Sequence, residues 1–167
     1  FVEICDEYTE LLMAPNCMRI LNTALNRHAT MLQNVPEPEN IAFFSQSGAL
    51  GAGLLDFADD MGLGFSVVAS LGNQADVTIN DIIPYLYEDS NTEAVLLYLE
   101  TLTNIHQFIH AASKLTEKKP IVLIKSGRTE AGAKAASSHT GSLSENDEVL
   151  DAIIRKSGII RVDTLDD

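Results

Sequence analysis

One histidine, His139, lies in a segment of small polar residues, "ASSHTGSLSENDE" at 136–148. The surrounding Ser, Thr and Gly residues are too small to bury an imidazole, and their hydroxyl and N–H groups favour negative charge. A ring nitrogen that carries a phosphoryl group needs room for the phosphate, donors around it and a carboxylate that orients the other nitrogen. The segment therefore predicts a phosphoryl-carrying histidine, and Glu100 is a candidate for the orienting carboxylate.

Short polar segments follow four predicted strands. They are Ser45-Gln46-Ser47-Gly48, Gly72-Asn73, Glu100 and Ser126-Gly127-Arg128. Because ligands bind outside the carboxyl ends of parallel strands, we expect these segments to share one rim with His139. Ser45–Gly48, Gly72 and Asn73 are the residues expected to bind phosphate there. The small residues of "SQSGAL" also leave N–H groups free at a helix N-terminus, which favours an anion.

A second helix start follows the histidine in "GSLSENDEVL". Ser142 with Glu145, or Ser144 with Asp147, has the spacing of a capping pair. His139 is therefore expected between two helix N-termini that point at one anion.

The elements that must position these residues alternate from Ile41 onward. Apolar runs predict strands, and segments of helical periodicity between them predict helices. The strands are "IAFFS", "FSVVASL", "AVLLYLE", "PIVLIKS" and "IIRV", and the helices are "ALGAGLLDFADDM", "TINDIIPYLYED", "NIHQFIHAASKL" and "ENDEVLDAIIRKSG". This alternation predicts an α/β fold with a doubly wound, mostly parallel sheet, flavodoxin-like or Rossmann-like.

The first forty residues are less regular. "YTELLMAPNC" reads as the end of a preceding domain, and the proline-rich "NVPEPEN" reads as a linker. We expect residues 1–38 to be the tail of a neighbouring domain and residues 39–167 to form the main domain. Because the chain starts at Phe1, we also expect it to be part of a longer polypeptide.

Charge and cysteine content restrict the partners. The net charge is −13, from 11 Lys and Arg against 24 Asp and Glu, so nucleic acid is not an expected partner. No apolar run is long enough for a membrane span, and two cysteines make no disulfide framework, so a soluble, cytoplasmic protein is expected. Six cations precede His139. They either belong to a solvated helix end and a basic loop, or they help the loop after "IVLIKSG" to hold an anion. These cations are Lys114, Lys118, Lys119, Lys125, Arg128 and Lys134.

From Pro15 to Val162 the chain resembles the α part of the nucleoside-diphosphate-forming acyl-CoA synthetases, the superfamily of ADP-forming acetate:CoA ligase and succinyl-CoA synthetase. The stretches that carry the resemblance are "PNCMRILN", "IAFFSQSGALG", "SLGNQADV", "LLYLE" and "KPIVLIKSGRTEAGAKAASSHTGSL". This chain departs from the family pattern at Ala14 and Arg19, where glycine is usual, and at Ser144-Glu145, where Ala-Gly is usual.

The resemblance implies roles for individual residues. His139 would be the phosphorylated histidine, and Glu100 would orient it. The "SQSG" turn and the loop residues Ser138, Thr140, Gly141 and Ser142 would bind phosphate, and Asn16 and Cys17 would lie near the thiol of coenzyme A. ATP or ADP with Mg²⁺ would bind in a grasp domain or β subunit outside this chain. The implied reaction joins a small carboxylic acid to coenzyme A through an acyl phosphate, in an oligomer with a CoA-binding domain.

Three alternatives stay open. Ser47 at a strand-to-helix corner fits a serine hydrolase, although Ser45 and Ala49 break the Gly-x-Ser-x-Gly pattern. His106 and His110 have the spacing of a zinc pair, but we assign no metal because a surface pair on an amphipathic helix explains them. The third alternative is a CoA-sensing regulatory module of a protein lysine acetyltransferase.

Overall fold

The fold is taken from a computed structural model, which describes residues 2–13, 15–31, 35–126 and 147–164. Within these ranges the helices are α1 (Val2–Glu7), α2 (Gly48–Asp60), α3 (Ile79–Glu88), α4 (Ile105–Thr116) and α5 (Asp147–Lys156). The strands are β1 (Arg19–Asn22), β2 (Arg27–Thr30), β3 (Pro38–Ser45), β4 (Phe65–Ser70), β5 (Ala94–Leu99), β6 (Ile121–Lys125) and β7 (Ile160–Val162).

One sheet contains all the described strands, in the order β2-β1-β4-β3-β5-β6-β7. The five strands from β3 to β7 are mutually parallel, and β1 and β2 pair antiparallel at one edge. The predicted α/β fold with a mostly parallel sheet is confirmed. The predicted strands and helices from Ile41 onward are all present within the described ranges.

Helices cover both faces of this sheet. Neighbouring residues of a strand point to opposite faces, so strand β3 contributes side chains to two clusters. Phe44 packs with Leu86, Phe108 and other residues of α3, α4 and α5 on one face. Phe43 packs with Leu55 and the rest of a smaller cluster on the α2 face. Every residue of β4 is buried, as expected for a central strand that is covered on both sides.

The amino-terminal segment joins the same sheet. Strand β1 pairs with β4 from Arg19↔Ser70 to Asn22↔Val67, and Leu21 is fully buried in the smaller cluster. Strand β3 begins at Pro38, three residues before the predicted start, because Pro38 is in register with Phe65. The domain boundary at residue 38 stays a prediction, whereas the contact of the hairpin β1-β2 with β4 is an observation.

No helix in the described ranges is both long and apolar enough to cross a membrane. Cys5 and Cys17 are both free.

Candidate functional site

The turn between β3 and α2 is closed by its own serines. The hydroxyl of Ser45 accepts from the N–H of Ser47 at 3.1 Å and donates to the Ser47 carbonyl at 2.7 Å. Ser47 caps α2, since its hydroxyl accepts from the N–H of Leu50 at 3.3 Å. The N–H groups of Gly48 and Ala49 lie in the first helical turn, where no intrahelical acceptor exists. The turn therefore presents donors and the positive end of a helix dipole to an anion.

Met18 covers this turn. A Cβ on Gly48 would lie 3.0 Å from Cγ and 3.2 Å from Sδ of Met18 and 3.7 Å from Oγ of Ser70. Glycine at this position thus lets the segment before β1 approach the helix start. The Ser70 side chain, 6% exposed, is at the same place, and its hydroxyl has no hydrogen-bond partner within the described part of the chain.

The loop after β4 contacts the Pro15–Cys17 turn. Gly72 has φ +56°, and a Cβ there would overlap the Pro15 carbonyl oxygen and lie 2.6 Å from that of Asn16. The Asn73 N–H donates to the Pro15 carbonyl at 3.0 Å, and the Asn16 side chain donates to the Asn73 side chain at 3.4 Å. The thiol of Cys17 donates to the Met13 carbonyl at 3.1 Å. Residues predicted for phosphate and residues predicted for coenzyme A are therefore in direct contact.

Glu100 follows the last residue of β5, and Gln46 holds its backbone. The Gln46 carbonyl oxygen Oε1 accepts from the N–H of Glu100 and, at 2.8 Å, from that of Thr101. Its Nε2 donates to the Thr101 carbonyl at 2.9 Å. The carboxyl ends of β3 and β5 are thereby joined by one side chain.

Lys125, the last residue of β6, holds Glu100 from the other side. Its ammonium donates to the Glu100 carbonyl at 2.7 Å and to the Ser126 carbonyl at 2.9 Å. Of the six clustered cations, it is the one seen at this rim within the described residues. Lys118 lies over the Tyr87 ring, 3.5 Å from its centroid, and Lys119 donates to the carbonyls of Leu86 and Asp89. Both lysines lie near the amino-terminal ends of the strands, away from the rim.

We call the residues at these four strand ends the carboxyl rim: Ser45–Gly48, Ser70–Asn73, Glu100–Thr101 and Lys125–Ser126. The electrostatics of the rim are seen at Tyr98. Burial raises the pKa of the Tyr98 phenol, and the charge of Glu100 raises it further. The negative charge of Glu100 is thus one of the influences on the phenol two residues earlier in the chain.

Several predicted residues lie outside the described residues, so the contacts of the histidine loop stay predictions. They are His139, Ser138, Thr140, Gly141, Ser142, the capping candidates Ser144 and Glu145, and the cations Arg128 and Lys134. Sequence reasoning missed Met18, Ser70 and Thr101. Two signals could have indicated them: Met18 directly follows "PNC", and Ser70 lies at a strand end.

The alternatives receive little support. Within the described residues the Ser47 hydroxyl is engaged as a helix cap; His139, the candidate base, lies outside them. His106 and His110 are exposed on α4, and the described residues contain no group of three or more His, Cys, Asp or Glu side chains that could hold a metal.

Comparisons with known proteins give the family. The model of the succinyl-CoA ligase-like flavodoxin domain matches residues 38–167. The ADP-forming acetate–CoA ligase of Methanocaldococcus jannaschii is 42% identical over 99% of this chain and 23% of its own length. The alpha subunit of ADP-forming acetate–CoA ligase II of Pyrococcus furiosus is 40% identical over 99% of this chain and 36% of its own length.

A solved structure agrees with these relatives. The acetyl-coenzyme A synthetase 1 of Ca. Korarchaeum cryptofilum, in complex with phosphate and ADP, superposes with a TM-score of 0.94 at 34% identity, over 99% of this chain and 36% of that one. The chain thus spans little more than a third, at most, of these three proteins. The match over residues 38–167 shows that the chain belongs to the family of the succinyl-CoA ligase-like flavodoxin domain.

Proposed function

We propose that this chain is the phosphohistidine-bearing part of an ADP-forming acyl-CoA synthetase. The enzyme would interconvert acyl-CoA, ADP and phosphate with a carboxylic acid, coenzyme A and ATP. The observation that carries the proposal is the carboxyl rim, where the start of α2, Glu100 and the Pro15–Cys17 turn meet. The relatives named above are ligases, which favours this function over a regulatory module of an acetyltransferase.

The first step uses the start of α2. A phosphate oxygen attacks the carbonyl carbon of the thioester, the C–S bond breaks, and the thiolate takes up a proton to give free coenzyme A and an acyl phosphate. The N–H groups of Gly48 and Ala49 and the Ser70 hydroxyl, which lacks a partner within the described residues, fit an oxyanion of the bound phosphate. Asn16 and Cys17 border the same place through Gly72 and Asn73, which fits a thiol held at the rim.

The second and third steps use His139. Its ring nitrogen attacks the phosphorus of the acyl phosphate, the P–O bond to the acyl group breaks, and the carboxylate leaves. A terminal oxygen of ADP then attacks the phosphohistidine, so that ATP forms and the ring is restored. The role of Glu100 is to accept a hydrogen bond from the N–H of the other ring nitrogen and to stabilise the positively charged ring.

Partner domains complete the proposed enzyme. One of the relatives is an alpha subunit, and this chain covers only part of each relative. We infer that a grasp domain or β subunit binds the nucleotide with Mg²⁺ and that a CoA-binding domain holds the rest of coenzyme A. Acetate or another small acid is the expected acyl group, and an oligomer is the expected assembly.

The decisive experiment is the intact mass of the full-length protein after incubation with ATP and Mg²⁺. We expect an adduct of one phosphate that is labile in acid and stable in base, and we expect it to be absent from the His139→Asn variant. An acid-stable adduct, or one on Ser47, contradicts the proposal.

A further inference from the structure

The sequence predicts that Gln46 binds phosphate, but the N–H groups of this residue already donate to other partners. Both donor contacts of Nε2 go to Thr101, to the carbonyl at 2.9 Å and to Oγ1 at 3.4 Å. Its backbone N–H donates to the Tyr98 carbonyl at 3.0 Å. A phosphate oxygen needs a donor, so it would have to displace one of these bonds.

The same contacts fix the backbone at Glu100. The N–H of Glu100 donates to Gln46, and its carbonyl accepts from Lys125, so both backbone polar groups of this residue are held. The next residue, Thr101, is held at its N–H and its carbonyl by the single amide of Gln46. Side-chain torsions alone are left to set the direction of the Glu100 carboxylate.

Burial makes this arrangement rigid. Gln46 is 7% exposed, and a buried amide whose donors and acceptor are all satisfied keeps one geometry, because any rotation would leave a polar group unpaired.

We propose that Gln46 is a positioning residue, which directs the Glu100 carboxylate toward the phosphoryl-carrying histidine and does not itself bind phosphate. This inference rests on the proposed function. Carboxylates that orient a histidine act through geometry, and in metal sites the loss of such a supporting contact typically costs about 10–100-fold in affinity or activity.

The test uses Gln46→Met, Glu100→Gln and the double variant in the full-length enzyme. Two quantities are measured: the single-turnover rate of phosphohistidine formation from ATP, and the KM for phosphate in the direction of ATP synthesis. We expect Gln46→Met to slow phosphorylation about 10-fold or more and to change the KM for phosphate less than about 2-fold. The double variant should be no more than about 2-fold slower than Glu100→Gln, because residues that act as one unit are not additive.

Gln74→Met is the matched control. Gln74 is also a buried amide, 9% exposed, but its Oε1 accepts from the N–H of Ile79 at 2.7 Å, at the start of α3. It should lower thermal stability about as much as Gln46→Met and leave the phosphorylation rate unchanged. If Gln46→Met does not fold, Gln46→Glu takes its place as the test variant, because glutamate keeps the accepting oxygen. A slowing of phosphohistidine formation that disappears in the Glu100→Gln background is again expected.

The contrary results are distinct. A raised KM for phosphate with an unchanged phosphorylation rate would make Gln46 a phosphate ligand, and equal slowing with and without the Glu100 carboxylate would make its effect independent of Glu100. A Gln46→Met enzyme that is phosphorylated at the normal rate also overturns the inference. If the unsubstituted enzyme acquires no phosphate on His139, the proposed function itself fails, whatever Gln46 does.

Discussion

The carboxylate of Glu100 acts on Tyr98, and this gives a test at the scale of single residues. Its charge is one of the causes that raise the pKa of the Tyr98 phenol, after burial, which is the largest. Glu100→Gln should therefore lower this pKa, although burial keeps it above the ordinary value. The phenolate absorbance is titrated with pH, and Tyr98→Phe identifies the signal. An unchanged titration would mean that the carboxylate does not face the rim.

His139 and Glu100 should differ in what their substitution removes. His139→Asn removes the proposed nucleophile, so no phosphoenzyme should form, while the free energy of unfolding should change by no more than about 1 kcal/mol, as for a residue away from the core. Glu100→Gln keeps the nucleophile, and the phosphoenzyme should form slowly. Circular dichroism checks folding, and mass spectrometry of quenched samples follows the phosphate. A His139→Asn protein that is unfolded would indicate a buried structural histidine.

Arg19 is strained by its backbone. It has φ +71°, in the left-handed region that costs a non-glycine residue about 1–2 kcal/mol, and it is a position where the family pattern usually has glycine. Arg19→Gly should raise the free energy of unfolding by about 1 kcal/mol, as measured with urea. Arg27→Gly, in the neighbouring strand β2, is the control; it should lower stability by about 0.5–1 kcal/mol, because a glycine in a strand gains no relief there. Equal effects would contradict this account.

At the scale of elements, Gly72 joins the loop after β4 to the Pro15–Cys17 turn. Any side chain there would overlap the Pro15 carbonyl, and φ is +56°. Gly72→Ala should cost about 2 kcal/mol or more, since both overlap and backbone strain act, and it should move the turn. Gly53→Ala in α2 is the control, because nothing lies within 4 Å of its Cβ position; it should gain up to about 1 kcal/mol. Thermal and urea melts measure both variants.

The end of α3 should make stability depend on pH. Burial acts to raise the pKa of Asp89, but hydrogen bonds from Thr92 and Asn91 and the charge of Lys119 lower it overall. A lowered pKa contributes stability above the unfolded value, about 3.9, and the contribution is lost as pH falls through the folded pKa. The stability difference between the unsubstituted protein and Asp89→Asn should shrink below about pH 4. Thr92→Val should weaken the same pH dependence. Urea melts at pH values above and below about 4 measure the free energy of unfolding of each variant.

Local sequence patterns predict the helices and strands, but they do not predict which residues distant in the chain contact one another. Apolar runs such as "FSVVASL" carry their own signal, because a strand covered on both faces is apolar throughout. The four residues of β1 carry no signal that β4 is their partner, so the sequence alone does not predict that the hairpin β1-β2 joins this sheet. Gln46 and Glu100 were placed at one rim by strand order, whereas the hydrogen bonds between them depend on which backbone groups meet after folding.

For the whole molecule, the proposed chemistry needs parts outside this chain. The phosphoryl group must pass from His139 to a nucleotide in another domain, so the carboxyl rim should be covered by a partner during turnover. The chain of residues 1–167 alone should give no acyl-CoA from acid, coenzyme A and ATP, even when circular dichroism shows it folded. The full-length enzyme under the same conditions is the positive control, and its His139→Asn variant is the negative one. Complete turnover by residues 1–167 would show that no partner domain is needed.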